Sequence, residues 1–585
     1  MVRDEKMLTG GGSDPSAFTR APDPTRGLSA PRRLPKSLLS GLLVVLALVW
    51  FGNIEYRKLT RPDEGRYAEI AREMAMSGDW ITPRLNDLKY FEKPPMQYWA
   101  TAAAFRLFGE HHWTARWWPA TTAFACVLLM FWAGRRLFDE EVGLMAAAAL
   151  GGCTGFIIDS HILTLDAGLA AFLTVALLGF LLAQRSGATP AENRNGMLVV
   201  WAALALAVLS KGLIGVVLPG AVLTLYVLVE RDWRLLARLH VGKGLVLCLL
   251  IAVPWFVAVS LANDEFARFF FIHEHFARFL TKVHHREGAW WYFFPILLFG
   301  TMPWLPFAAV RLRDGWRREG EPGTLQPLRL LLIWTVFIFL FFSASHSKLP
   351  SYILPVFPAL ALFVAVEMQR MEPKVLGRFA WGLAAVSGVL LLGALIGGER
   401  VARVFSKESS PFEIVRNVVP WIDASVFTFT TGAVAAAWLF RRHGRLAGII
   451  ALAFGSLGAG ILAMDGQDEL SRLSSSYHIV REIEATQGPF DRTFPFYSVQ
   501  MYDQTLPFYL KRPITLVQYI DEFALGLDAE PWKGIPRIED WKRRWIGLER
   551  GYAMMNPSHY ERFTNEGLPM RVLARDPHRV IVSRQ

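Results

Sequence analysis

From about residue 37 onward the sequence is dominated by apolar runs of bilayer-spanning length separated by short polar loops. A spanning helix needs about 20 mostly apolar residues, because only a helix or a closed barrel can satisfy its backbone polar groups inside lipid. Scanning on that criterion gives about thirteen candidate spans. They lie near 37–54, 116–136, 141–158, 162–184, 197–210, 212–229, 242–262, 289–311, 328–345, 350–368, 378–397, 420–440 and 446–465. Of the 585 residues, 53% are hydrophobic and 19% charged, whereas a soluble domain is about a quarter charged. A polytopic α-helical membrane protein is predicted, and a solvated globule or a disordered chain is excluded.

The net charge of +11 raises the question of nucleic acid, which would need a basic stripe on a soluble face. Cations instead collect on alternate loops, as the positive-inside rule requires of cytoplasmic ones. With the N-terminus inside, the inside loops carry Arg135 and Arg136, Arg185 and Arg194, Arg231 to Lys243, Arg311 to Arg329, Arg370 to Arg378, and Arg441 to Arg445. The surplus is an orientation signal, and no nucleic-acid partner is expected. Cys126, Cys153 and Cys248 all fall in apolar runs, so neither a disulfide framework nor a thiolate zinc site is expected.

Residues 1–36, rich in Gly, Pro, Ser and Arg, are expected to be a disordered cytoplasmic tail. Residues 37–465 form the membrane domain and 466–585 a small soluble α/β domain on the outer side. In the latter, Ser474 to Thr486 has helical spacing, and Phe494–Val499, Ile514–Tyr519, Met570–Leu573 and Val580–Ser583 have strand character. The same topology puts the loop 54–115, the turn 159–161, the loop 263–288 and the stretch Ser343–Ser351 outside. Polar groups are costly near lipid unless they face water or one another, so their gathering on one face marks a candidate site.

The loop 54–115 opens with Arg61-Pro-Asp63-Glu64-Gly-Arg66-Tyr67, followed by Glu69, Ile70, Met74 and Met76. Pro62 and the two carboxylates suit a helix start, and the apolar spacing suits a helix lying on the membrane. Later come Gly78-Asp79-Trp80 and Tyr90-Phe91-Glu92-Lys93-Pro94-Pro95, the latter held extended by its prolines. Taken singly, the first run reads equally as a capped interfacial helix and as a site, and the second more often as a surface turn than as a site. Asp159 and Asp166 fit either helix capping or a polar cavity. His273-Glu-His275 could ligate a metal or simply face the interface. Lys348 and Tyr352 interrupt two spans on the same outer side.

Together, the run DEGRYAEIAREM, then GDWITPRLND, then YFEKPP with Tyr98 and Trp99, directly after a first span, resembles the C-type glycosyltransferases of the protein O-mannosyltransferase-like group. Within it the chain is most similar to bacterial transferases that move 4-amino-4-deoxy-L-arabinose from undecaprenyl phosphate to lipid A. The resemblance covers most of the chain from about residue 38, with Gly65 and Asp87 as departures. It implies an inner-membrane enzyme with a periplasmic active site, an undecaprenyl-phosphate sugar donor and no nucleotide cofactor. It also implies altered outer-membrane charge and resistance to cationic antimicrobial peptides.

By the same resemblance Asp63 is the catalytic carboxylate, with Glu64 beside it. The resemblance also implies that Lys93, Lys211, Arg278 and Tyr352 bind the lipid phosphate; Arg66 and Lys348 are further candidates by their charge and outer placement alone. Tyr67, Tyr90, Asp159 and Asp166 line the cavity. Glu92 and His273 are the candidate ligands of a divalent metal such as zinc. Lipid A and membrane lipids are the expected partners of a monomer. Two other readings are open: a transferase acting on a protein or another glycan, and a transporter of lipid-linked sugar.

Overall fold

A computed structural model describes residues 35–277, 288–309, 315–317 and 324–584. The expected tail therefore lies almost entirely outside the described residues. All of the candidate spans fall on helices. In chain order the first are α1 (Lys36–Phe51), α4 (His112–Leu137), α5 (Glu140–Gly151) with α6 (Thr154–Ser160), α7 (Asp166–Gln184), α8 (Pro190–Lys211) and α9 (Ile214–Glu230). Helices at Val241–Ala262, Pro327–Ala344, Val356–Arg370, Pro373–Phe405, Val419–Arg442 and Arg445–Gln467 follow. Among the described residues, eight helices are long and apolar enough to cross a membrane, or nine if α5 and α6 form one span bent by 63°. Of the run expected over 289–311, the described residues 289–309 hold two short helices, Phe293–Gly300 and Leu305–Ala309. The run expected from 350 opens with a 3-10 turn, Pro350–Ile353, because its two prolines interrupt the helical ladder.

Small residues set how closely the last two spans approach. A Cβ on Gly432 would stand 2.5 Å from the Gly455 Cα, and one on Gly455 would stand 2.7 Å from the Gly432 Cα. Without side chains at the crossing, the backbones pack directly, the usual way membrane helices gain van der Waals contact.

The first outer loop holds α2 (Asp63–Ser77), the hairpin β1 (Arg84–Leu85) and β2 (Leu88–Lys89), and α3 (Met96–Phe108). The C-terminal region forms a six-stranded sheet of β3 (Phe496–Val499), β4 (Thr515–Val517), β5 (Gly534–Ile535), β6 (Gly551–Met555), β7 (Arg571–Arg575) and β8 (Val580–Arg584). Its order is β5-β4-β3-β6-β8-β7, parallel from β5 to β6 and antiparallel beyond. The expected helix is there as Tyr477–Gln487. The alternation of side chains along each strand sorts the sheet into two faces. Val499, Val517, Ala553, Met555, Val580 and Val582 pack on Trp541, Trp545 and Phe563 of the covering helices. Phe496, Leu516, Met554 and Ile581 face the other way, onto Ala68, Ile70 and Ala71 of α2 and Phe105 of α3.

That second face corrects one expectation. Helix α2 does not lie open on a bilayer surface: both of its sides are buried, and Glu64, Arg66, Glu69, Ile70 and Met74 are all buried. Its half-apolar pattern is satisfied by the C-terminal sheet.

Replacing Gly455 with Val should force the final helical hairpin apart, destabilising it by about 1–3 kcal/mol as overpacking does. The detergent-solubilised variant is expected to melt several degrees below wild type; an unchanged melting temperature would show that the two backbones are not in contact.

Candidate active site

The site begins at the start of α2. Pro62 occupies the helix N-cap, and Asp63 and Glu64 fall in the first turn, where carboxylates meet the positive end of the helix dipole. Gly78, at φ 74°, closes the helix in the left-handed region that glycine reaches without strain. The two adjacent carboxylates have opposite fates. The Asp63 side chain is 28% exposed and accepts one hydrogen bond, 3.1 Å from Arg66 Nη1. Glu64 is sequestered.

Glu64 accepts from Arg116 Nε at 2.7 Å and Nη2 at 2.9 Å, from the Leu163 amide at 3.1 Å, and from the Thr60 amide and hydroxyl at 3.1 and 3.2 Å. Arg116 spends its remaining donors on the carbonyls of Ile54, Arg57 and Lys58. Burial alone would push the Glu64 carboxyl up, but the Arg116 charge and its hydrogen bonds reverse this and hold it down at about 2. With every lone pair engaged, Glu64 fastens α2 to α4 and to the α6–α7 turn instead of facing a substrate. Of the two carboxylates expected to take part in catalysis, only that of Asp63 stays accessible.

Arg66, proposed from the sequence as a phosphate ligand, is likewise turned inward. Its Nε lies 2.6 Å from Glu522 Oε2, and the two side chains are 9% and 6% exposed. Gln504 Nε2 donates to the other Glu522 oxygen at 2.8 Å. Burial disfavours the Arg66 charge, yet Tyr90, Glu522, Tyr67 and Glu92 around it hold its pKa well above the ordinary value. Tyr67 and Tyr90 are buried, and burial raises both phenols well above the usual range. The buried Tyr90 hydroxyl has no hydrogen-bond partner among the described residues. Asp63, Arg66, Tyr67, Tyr90 and Glu92 thus form one polar group.

A second group lies at the ends of the spans. Asp166, at the first position of α7, pairs with Lys211 at the end of α8 and accepts from Ser351 Oγ at 2.8 Å. The Lys211 ammonium sits 4.4 Å above the Tyr352 ring. Asp159 lies within electrostatic reach of Asp166 and Lys211. The Glu64 contact with Leu163, three residues before Asp166, links this group to the first.

Lys93 Nζ donates to the Glu92 carbonyl at 2.8 Å. Lys348 departs from the expected role: its Nζ caps the end of the helix Pro327–Ala344, donating to the carbonyls of Ser343 at 2.7 Å and Ser345 at 2.9 Å. Burial lowers its pKa. Arg278 lies outside the described residues. His273 belongs to the π-helical stretch Arg268–Ala277, where its side chain is outside them too. Among the described residues no three His, Cys, Asp or Glu side chains converge as metal ligands, so the candidate metal pair is represented by Glu92 alone.

Four participants carried no local sequence signal strong enough to be singled out. Arg116, alone at the start of a long apolar run, was the most legible of them. Ser351, Gln504 and Glu522 read as ordinary polar positions, since nothing near them in sequence reports the distant partner.

This geometry sits in a recognisable frame. The dolichyl-phosphate-mannose-protein mannosyltransferase family matches residues 37–270, and the aminoarabinose transferase C-terminal domain family matches residues 480–584. The crystal structure of ArnT from Cupriavidus metallidurans bound to undecaprenyl phosphate superposes with a TM-score of 0.88 and 36% identity, covering 94% of this chain and 99% of that one. Fold and site together define a multi-pass inner-membrane glycosyltransferase of the C type that uses a polyprenyl-phosphate sugar donor. A protein from Erwinia tasmaniensis is 30% identical over 545 residues, 90% of this chain and 94% of that relative. One from Edwardsiella ictaluri is 34% identical over 334 residues, where the alignment spans 56% of this chain and 59% of the relative. Both carry the same description, and the chain belongs to that family, the undecaprenyl phosphate-alpha-4-amino-4-deoxy-L-arabinose arabinosyl transferases.

Removing one partner of a buried ion pair costs about 3–5 kcal/mol, so Arg116→Met should lower the melting temperature sharply. The pH dependence should also invert. In wild type the depressed Glu64 pKa contributes stability that is fully present above its ordinary 4.5 and is lost as pH falls through about 2. In Arg116→Met the buried carboxyl is raised instead, so acidification should stabilise the variant relative to neutral pH. Thermal unfolding from pH 7 to pH 3 checks both signs.

Proposed function

We propose that the chain transfers 4-amino-4-deoxy-L-arabinose from undecaprenyl phosphate to a phosphate of lipid A, at the periplasmic face of the bacterial inner membrane. Family membership supports the substrate pair. The observation that carries the catalytic part is the contrast at the start of α2, where Glu64 is saturated and Asp63 keeps an accessible carboxylate. The N-terminus is cytoplasmic, the polar groups around Asp63 and the C-terminal sheet are periplasmic, and the enzyme acts as a monomer.

In the transfer, the bond from the sugar's anomeric carbon to the prenyl-linked phosphate breaks, and a bond to an oxygen of the acceptor phosphate forms. Undecaprenyl phosphate leaves with the electron pair. Positive charge grows on the anomeric carbon, and a preorganised carboxylate stabilises it. A lipid A phosphate is already ionised near neutral pH, so Asp63 orients the acceptor and offsets the charge on the sugar; with a hydroxyl acceptor it would serve as the base. Arg66 fixes the Asp63 rotamer. The departing phosphate is met by Lys93 and Lys211, with Arg278 as the third cation; Lys211 can exchange Asp166 for the phosphate. Tyr352, under the Lys211 ammonium, keeps that cation in place, and Tyr90 offers its unpaired hydroxyl to the sugar. A divalent ion held by Glu92 and His273 would supply further neutralisation of phosphate charge.

Asp63→Asn should lower transfer from lipid-linked sugar by about 10²- to 10⁴-fold, in the range of a lost acid–base or electrostatic group, with folding unchanged. Wild-type turnover in that variant would remove Asp63 from the chemistry. In cells supplied with donor, mass spectrometry of lipid A should show aminoarabinose-modified phosphate only when the chain is active. An unchanged lipid A spectrum would point to a protein or another glycan as the acceptor.

A further inference from the structure

Asp63 lies on a short helix whose position is bracketed from outside the membrane domain, and the brackets converge on one fully buried ion pair. Arg579, just before β8, and Asp503, just after β3, have 0% exposed side chains and stand 2.7 Å apart. Taking two charges wholly out of water is expensive, and apolar residues of similar volume often hold a fold equally well. Here the pair gathers three separate segments. Arg579 Nε donates to Asp576 at 2.8 Å, Nη1 to Ser476 Oγ at 3.1 Å and Nη2 to the Arg472 carbonyl at 3.2 Å. The other Asp503 oxygen accepts from the Thr505 amide at 2.9 Å and hydroxyl at 2.6 Å, and Thr505 Oγ1 accepts from the Ser476 amide at 2.8 Å. The stretch leaving the last span, the loop 503–505 and the final hairpin are thereby locked together.

From that lock, three contacts reach the start of α2. The Arg61 amide donates to the Ser474 carbonyl at 2.9 Å. At Gly65 a Cβ would stand 2.6 Å from the Gln504 carbonyl carbon, so the loop backbone presses directly on the first turn. Gln504 also holds Glu522, which pairs with Arg66, which donates to Asp63. Positions 61, 65 and 66 enclose residue 63 on both sides.

We infer that Arg579 and Asp503 are positioning residues for the transfer reaction: their buried pair sets the 503–505 loop against the first turn of α2, and so fixes where the Asp63 carboxylate stands. This rests on the catalytic reading of Asp63. A displacement on the order of 1 Å can cost about 100-fold in rate, whereas the lipid-phosphate cations lie on other elements. The lock should therefore act on kcat and leave donor KM nearly alone.

The test uses full-length protein in detergent with lipid-linked sugar donor. Arg579→Lys keeps the charge and loses the fork, and Asp503→Asn keeps the shape and loses the charge; each should lower kcat by about 10- to 100-fold with KM changed less than twofold. Should these fold poorly, Gln504→Ala leaves the ion pair intact and should still lower kcat at an unchanged melting temperature. The decisive readout is coupling. On an Asp63→Asn background, Arg579→Lys should cost little further activity, because the group it positions is already gone. Losses that multiply independently, or a kcat preserved in all three single variants, would overturn the inference. Full activity of Asp63→Asn alone would instead sink the catalytic reading on which it rests.

Discussion

The buried pair of Arg116 and Glu64 is the interaction on which the architecture of the outer face depends. One guanidinium collects three carbonyls from the segment leaving α1, and one carboxylate collects the α6–α7 turn through Leu163. Neither charge would be tolerable there alone. Because all their hydrogen-bonding capacity is met, the pair ties the segment leaving α1, the first turn of α2 and the α6–α7 turn to α4 as one platform. Asp63, the residue just before Glu64, inherits its position from that platform while keeping its own carboxylate accessible.

The cations show how burial decides roles that residue type leaves open. Arg66 and Lys348 each carry the charge a phosphate would want, yet one is held by Glu522 and the other by the terminal carbonyls of a helix. Lys211 also pairs with a carboxylate, that of Asp166, but it lies over Tyr352 and keeps 15% of its side chain exposed, against 9% for Arg66. A cation already balanced by a carboxylate can exchange partners when an anion arrives, without an unpaired charge having to wait in a low-dielectric site.

Much of the membrane domain was legible because hydrophobic run length reports directly on lipid. Strands β3, β4, β7 and β8 were legible from their β-branched and aromatic runs, whereas β5, two residues long, and β6, Gly551–Met555, lacked that pattern. What failed was information about long-range partners. The apolar stripe of α2 announces that something covers it, and membrane surface and protein sheet present the same demand to a sequence. Glu64 and Asp63 are neighbours of the same charge, and only Arg116, 52 residues on, separates their duties. The motif beginning at residue 61 falls on one turn of helix, and the different surroundings of its two carboxylates came from the packing.

The face of the C-terminal sheet that covers α2 has a consequence for how the enzyme comes into being. Ile581 packs in the same cluster as Ala68 and Ala71, and the strand that carries it follows Arg579. The first outer loop emerges early in synthesis, but its apolar stripe has to wait for a partner more than 500 residues later. Contacts of such sequence separation form slowly. The cover over α2 therefore depends on a contact between the two ends of the described chain. The packing that buries the first turns of α2 is complete only when the last strand of the chain is in place.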